Sequence, residues 1–246
     1  FAEDMLRRHP NEKIALSTMA AAQLMNKQGK KTEHILRKII AKDDDVIHRL
    51  LLISLLVNST NSEKEVKYLL DDVLKIQENN LQALVIKAGM QIKWREFQAA
   101  VKTINNLERA YPNQAISYQL RGDLFVAENN YEQAFKSYHK SYQILPKNKV
   151  LFVMVDLIKM QKKDVTVAFE LLNDVLNKDS ENLAVRFKLA TIYQQLKEYR
   201  QSEKHYKLIL DKQADNVLVL NNLAWVYLKQ NNPQALILAK KAYDKS

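Results

Sequence analysis

Along residues 115–146, AISYQLRGDLFVAENNYEQAFKSYHKSYQILP, apolar and small residues recur at helical spacing, pause, and recur again. Tyr118, Gly122 and Phe125 stand at i, i+4 and i+7, which puts them on one face of a short helix. Glu128-Asn129-Asn130 reads as a turn. Tyr131, Ala134, Tyr138 and Ser141 form a second stripe, and Pro146 stops it. The pattern predicts two amphipathic helices in a hairpin, with Gly122 and Ala134 small where antiparallel helices come closest. Neither helix can bury its stripe alone, so the pair requires neighbours.

The neighbours recur with a period of 34 residues, in units that begin at Lys13, Ile47, Leu81, Ala115, Lys149, Leu183 and Val217. Position 8 of each unit reads Ala20, Ser54, Ala88, Gly122, Asp156, Ala190 and Ala224, small in all but one. Position 20 reads Thr32, Val66, Ala100, Ala134, Ala168, Ser202 and Leu236. A helix-turn-helix period of this length with small residues at these two places resembles the tetratricopeptide repeat (TPR). The fold class this implies is all-α: a right-handed α-solenoid of about seven TPR units over residues 13–246, in one solenoid. Residues 1–12 fit the tail helix of a preceding repeat, with Met5 and Leu6 as its apolar face and Pro10 at its end.

Composition supports an ordered helical chain: 3 Gly and 4 Pro among 246 residues leave few breakers. Length alone argues for two domains, but an unbroken repeat has no internal boundary. The longest apolar run, residues 50–57 (LLLISLLV), is too short to span a bilayer and fits a buried helix. With no Cys there is no disulfide and no thiol chemistry, which suits either side of a bacterial inner membrane. Phe1 falls in the middle of a second helix and the last residues end another without a polar cap. The chain therefore reads as a fragment of a longer repeat protein, with any targeting or anchoring segment outside it.

Individual units depart from the pattern in ways that predict structure. The unit from Lys13 has Gly29 where an aromatic is usual and holds the densest basic cluster, Lys27, Lys30, Lys31, Arg37, Lys38 and Lys42, followed by Asp43-Asp44-Asp45. In the unit from Ile47 the turn contains Asn58-Ser59-Thr60, a glycosylation sequon that matters only in a eukaryotic secretory route. Lys87 and Arg121 occupy position 7, where Leu is usual, with stems long enough to snorkel past the seam. In the unit from Lys149 strict phase buries Asp156, and a lone buried carboxylate is costly. Slipping its first helix by one residue brings Leu151, Met154, Val155 and Ile158 inward, sends Lys159 to water, and lengthens the turn at 161–164. In the last unit Pro233 opens the second helix, and Ala235, Ala239 and Ala242 give a slim packing face.

Chemistry is hard to find. His9, His34, His48, His139 and His205 lack the i, i+3 or i, i+4 pairing that metal sites favour, and read as exposed or half-packed. No Gly-rich phosphate loop, nucleophile elbow or Ser/His/Asp arrangement is evident. Acidic residues such as Asp43–Asp45, Glu63, Glu65 and Asp215 stand at helix starts and turns, as caps and dipole partners. No enzyme activity, cofactor or metal is expected. The net charge of +10 comes from 38 basic residues interleaved with 28 acidic ones, without the aromatic-plus-basic platform of a single-strand binder. A solvated helical surface explains it, though the cluster in the unit from Lys13 favours an acidic partner or anionic head groups.

The TPR resemblance implies that positions 2, 5, 9 and 12 of each first helix line an inner surface. The candidate groove residues are Leu51, Leu55, Val85, Gln119, Asp123, Asp156, Phe187, Asn221, Asn222 and Trp225. The carboxylate clamp of the chaperone-binding members is missing, and only Asn221 and Asn222 are similar to the asparagine ladder of the sugar-transferase members. What remains is apolar stretches between polar patches, suited to an amphipathic helix or extended protein segment; part of this apolar surface can equally pack within the repeat. Asp123 and the slipped Asp156 are expected to make an acidic spot that holds a ligand's Lys or Arg. The last unit, with Asn221-Asn222-Leu223-Ala224-Trp225 and Pro233-Gln234-Ala235-Leu236, resembles the C-terminal repeat of bacterial TPR lipoproteins of the PEP-CTERM/exosortase sorting and exopolysaccharide system. That resemblance implies a lipid-anchored protein of the periplasm or outer membrane of a Gram-negative bacterium; a cytoplasmic location is the alternative. The function expected is a protein–protein interaction scaffold. The alternatives are an assembly scaffold for polysaccharide export that self-associates through its uncapped ends, where Leu236, Leu238 and the face of Ala235, Ala239 and Ala242 are expected to lie uncovered, and nucleic-acid binding through the basic surface.

Overall fold

Asn80, Asn182 and Asn216 each stand one residue before a predicted first helix, and their side-chain oxygens accept the N–H three residues on. The donors are Ala83 (2.9 Å), Val185 (3.2 Å) and Val219 (3.1 Å). An asparagine in that place satisfies one of the donors a helix start leaves open. The computed structural model describes residues 4, 7, 8, 12–26, 28–42, 44–59, 61–161 and 164–245. Among these there are fourteen helices and no strand. The first helices are α1 (Lys13–Met25), α3 (Val46–Leu56), α5 (Leu81–Lys93), α7 (Ala115–Ala127), α9 (Asn148–Met160), α11 (Leu183–Gln195) and α13 (Val217–Lys229). The second helices are α2 (Gly29–Ile40), α4 (Glu63–Ile76), α6 (Phe97–Ala110), α8 (Tyr131–Ile144), α10 (Thr166–Lys178), α12 (Tyr199–Leu210) and α14 (Gln234–Asp244). Of the expected tail helix of residues 1–12, Asp4, Arg7 and Arg8 are helical, while Met5, Leu6, His9 and Pro10 lie outside the described residues, as do Lys27, Asp43 and Thr60.

The turn inside a repeat has a fixed chemistry. Arg95, Lys197 and Asn231 take left-handed φ values of 62°, 64° and 55°. The next residue's N–H then reaches back five residues, from Glu96 to the Gln91 carbonyl (2.8 Å), Glu198 to Tyr193 (2.9 Å) and Asn232 to Tyr227 (2.8 Å). This closes the helix end and reverses the chain within three residues.

Two compact units make up the chain, residues 1–129 and residues 130–246. In unit one α1 to α7 pack in sequence, each against the next, and α5 also meets α7. In unit two α8 to α14 do the same, and α9 also meets α11. Both are TPR-type helix stacks. The small contact positions are closed to solvent: Ala20, Ala88, Thr32, Val66 and Ala100 in unit one, and Ala190, Ala134, Ala168 and Ser202 in unit two. Ser202 spends its hydroxyl inside the seam, on the Ala190 carbonyl at 2.9 Å.

Three helices depart from strict phase. In α9 Leu151, Met154, Val155 and Ile158 are buried while Asp156 and Lys159 face solvent, the one-residue slip that the cost of burying Asp156 predicts; Lys162 and Lys163 of the lengthened turn lie outside the described residues. The same slip occurs in α3, where it was not expected. Ser54 is not at a tight contact; it is exposed, and Ile53 is buried in its place. The cause starts at the cap. Asp45, one residue before the usual cap position, accepts the His48 N–H at 3.0 Å and starts α3 early. Turning the helix this way buries Ile53, worth about 1.5–3 kcal/mol, for a serine that is content in water. The turn 57–62 takes up the difference, and Ser62 closes it with a hydroxyl on the Leu56 carbonyl (2.5 Å). In α14 Leu236 stands at position 20 but does not fill the close contact: it is 78% exposed, and Ala239 is exposed with it. Ala235, Leu238 and Ala242 pack inward instead.

Candidate functional site

The candidate groove residues fall on the first helices of both units, and the two units use them differently. In unit one Leu51 and Leu55 of α3 are half-buried against the core formed by Leu50, Leu52 and Ile53, and Val85 of α5 leans on the next core cluster. Most of their apolar surface is thus spent within the repeat. Gln119 is half-buried and Asp123 is exposed on α7. The position-7 cations do more than snorkel. Lys87 Nζ reaches Asp71 of α4 at 2.7 Å, and Arg121 grips Glu108 at 2.7 Å and Asn105 at 2.8 Å on α6, so each ties a first helix to the preceding second helix.

In unit two Asp156 is exposed but not unengaged: Lys188 of α11 donates to it at 2.7 Å while lying 5.6 Å above the Phe152 ring. The expected acidic hook is therefore already neutralised by a cation of the neighbouring repeat. Phe187 packs into the core against Tyr206, ring centroids 5.8 Å apart. Asn222 points into the same core and donates to the Tyr206 hydroxyl at 3.2 Å, while that hydroxyl donates to Gln194 at 2.8 Å. Burial pushes the Tyr206 phenol up to about 12, so it stays a donor.

Asn221 and Trp225 open onto free space. They line a cleft of ≈ 490 Å³ between α13 and α14, closed by Leu228, Pro233, Ala235 and Leu236. Its walls are apolar side chains left in water: Leu228 is 63% exposed, Trp225 40% and Leu236 78%. Tyr199 packs edge-on to Trp225 at 5.9 Å from within, which fixes the indole at the cleft mouth, and Lys229 sits 5.3 Å from the ring. α13 and α14 carry no carboxylate before Asp244, whereas Lys229 and Lys240 are exposed beside the opening. Asn221 and Trp225 were named from the sequence and Leu236 was expected to lie uncovered, whereas Leu228 was not named. Leu228, one turn after Trp225, was readable from helical spacing.

One arrangement was not foreseen. Ser17 Oγ lies 3.0 Å from His48 Nε2, and His48 Nδ1 lies 3.0 Å from Asp45 Oδ2. It does not amount to an activated nucleophile. Ser17 donates to its own helix, at the Lys13 carbonyl (2.8 Å), Lys13 Nζ takes the same Asp45 oxygen at 2.7 Å, and His48 Nδ1 makes no directed hydrogen bond. Ser17 also lies inside α1, where backbone N–H groups serve the helix and offer no oxyanion site. Burial raises the Asp45 carboxyl, but the Lys13 and His48 donors outweigh it and hold it well below the usual range. The cluster is an ionic joint between α1 and α3. Among the described residues no group of His, Asp and Glu is placed to hold a metal ion.

His34 is exposed, His139 stacks on Phe135, and His205 stacks on Tyr193 with ring centroids 5.5 Å apart. Burial, with Arg186 and Lys204 nearby, pushes His205 down to about 4 from an ordinary 6.5. The neutral ring is thus favoured by folding. Unit two is expected to keep the full contribution above pH 6.5 and to lose it progressively as pH falls toward 4, because the unfolded chain takes the proton first. Replacing His205 by Gln should flatten that part of the stability–pH profile, measured by urea unfolding at each pH; an unchanged slope would exclude His205 as the cause.

Comparison with known proteins agrees with this architecture. A family model described as tetratricopeptide repeat matches residues 159–220. Among solved structures, yeast Tom70 superposes with a TM-score of 0.70 at 14% identity, over 100% of this chain and 54% of that one. A tetratricopeptide repeat protein from Parabacteroides merdae gives 0.63 at 14% identity, covering 95% and 93%. A chain of the APC/C hetero-tetramer Cut9–Hcn1 gives 0.60 at 10% identity, covering 92% of this chain and 45% of that one. These likenesses establish the TPR fold. Among curated proteins no sequence matches.

Proposed function

We propose that this protein is a protein–protein interaction scaffold that receives an amphipathic helix of its partner in the cleft between α13 and α14. The observation that carries the reading is the cleft itself: apolar walls left in water around Trp225, with cations and no carboxylate at the rim. A helix laying an apolar face into such a groove, flanked by Asp or Glu that meet Lys229 and Lys240, matches both features. Hetero-oligomeric assembly is on record for the fold in the Cut9–Hcn1 complex. Self-association is the second reading, because the same exposed surface, with Ile237 67% and Tyr243 81% exposed beside it, is able to accept another copy. Placement in a periplasmic, lipid-anchored sorting and exopolysaccharide system rests on the likeness of the last repeat alone.

A photo-cross-linking residue at Ala239, inside the cleft, should trap a partner from the parent organism's envelope fraction, while the same residue at Asn173 on the outside of α10 should not. L236D in the first background should abolish the adduct without changing helicity. Equal adducts from both positions would defeat the reading, and an adduct with the mass of two copies of this chain would decide for self-association.

A further inference from the structure

The outward cations of unit one have no part in the cleft. On α2 Lys31 and Lys38, with Lys42 in the turn just after it, are exposed, opposite the buried Ile35, Leu36 and Ile39. On α4, joined to α2 by the Arg37–Glu65 pair, Lys64 and Tyr68 are exposed, Tyr68 by 64%. On α6, whose entry at Glu96 is held to α4 by Lys67 (2.5 Å), Lys102 and Arg109 are exposed. His34, Tyr68 and Lys102 are 34 residues apart, so they stand at one level on three successive second helices.

The charge balance of these helices is one-sided. Every carboxylate on α2, α4 and α6 is already engaged: Glu33 and Glu65 by Arg37, Glu63 by Lys67, Asp71 by Lys87, Asp72 by Lys75, and Glu108 by Arg121. Lys31, Lys38, Lys42, Lys64, Lys102 and Arg109 make no ion pair among the described residues. Unit one thus presents a grid of unneutralised cations, spread over helices that pack about 10 Å apart, around one protruding tyrosine.

We propose that this face docks on an anionic phospholipid bilayer. Each lysine near such a surface adds to binding independently, and a tyrosine ring is at home at head-group level. A flat grid suits a planar lattice of monovalent head groups that diffuse to meet it. Five of the six cations are Lys, flexible point charges, where a fixed phosphate ladder would favour forked Arg contacts. Nucleic acid would also want a groove and successive stacking rings, and this face offers a single ring. No described helix is long and apolar enough to cross a membrane, so the contact is peripheral.

The test is co-sedimentation of the whole chain with phosphatidylcholine vesicles, with and without phosphatidylglycerol, at low and high salt. Binding is expected only to the anionic vesicles and should be released by salt. K31Q/K38Q/K64Q/K102Q should lower the partition by nearly three orders of magnitude, at roughly fivefold per lysine. The control K149Q/K178Q/K197Q/K204Q removes the same charge from unit two and should keep most of it. The proposal is overturned by equal loss in the two variants, by no partition of the native chain, or by tighter binding of single-stranded DNA or polyglutamate through the same four lysines.

Discussion

Truncating Tyr206 to alanine is expected to remove about 3–5 kcal/mol from the stability of unit two. None of its surface is exposed, and it is the largest fully buried side chain among the described residues. Its ring fills the space between Phe187 on α11 and the apolar face of α13, so a cavity there opens at the junction of three helices. The hydroxyl adds a second cost, because Gln194 and Asn222 lose the partner they converge on. Y206F separates the two: it keeps the ring and should cost about 1–2 kcal/mol for the unpaired amides. The protein supplies its own readout, since its two tryptophans fall in different units, Trp94 in one and Trp225 in the other. Urea unfolding followed by Trp225 fluorescence in a W94F background reports on unit two. An alanine variant within about 1 kcal/mol of the parent, against the usual cost of such a cavity, would mean that Tyr206 is not the keystone its burial indicates.

Helix pairs and their boundaries were legible because several local signals agree. Small residues at the seam, asparagine before a first helix and proline after a second one all fall at the same period. Phase errors were legible only where chemistry made strict phase expensive. Asp156 announced its slip because a lone buried carboxylate is intolerable. Ser54 announced nothing: serine passes as a small seam residue, and the run LLLISLLV offers an apolar stripe in either register. The deciding signal there was Asp45, whose cap starts α3 one residue early. The slip of α14 was hidden in the same way, since Ala235, Leu236, Ile237 and Leu238 give an apolar seam in any phase.

The site was legible in outline. Asn221 and Trp225 were found because inner-surface positions follow from the repeat, and they open on the cleft. Leu51, Leu55, Val85 and Phe187 obey the same rule yet are partly spent on packing, a division that depends on neighbours the spacing does not specify. Contacts between repeats were the least visible. Lys188 and Asp156 are 32 residues apart, and Ser17 and His48 are 31 apart. Such pairs emerge only when units are laid side by side with their slips already included.

The slip of α3 makes a prediction opposite to that of the strict repeat. Ile53→Asp should unfold unit one or cost it well over about 3 kcal/mol, because the residue is fully buried among Leu50, Leu52, Leu56 and the faces of α2 and α4. A carboxylate there must either stay buried in the apolar cluster or force the helix out. Ser54→Asp should change stability by no more than about 0.5 kcal/mol, since its side chain faces water and bonds only the Leu51 carbonyl of its own helix. Trp94 packs on the same cluster, so its fluorescence in a W225F background follows the loss directly. If strict phase held, Ser54→Asp would be the damaging change and Ile53→Asp the tolerated one. The two variants measured together decide the register of α3, and with it which side of that helix, Leu51 and Leu55 or their neighbours, is left available to a partner.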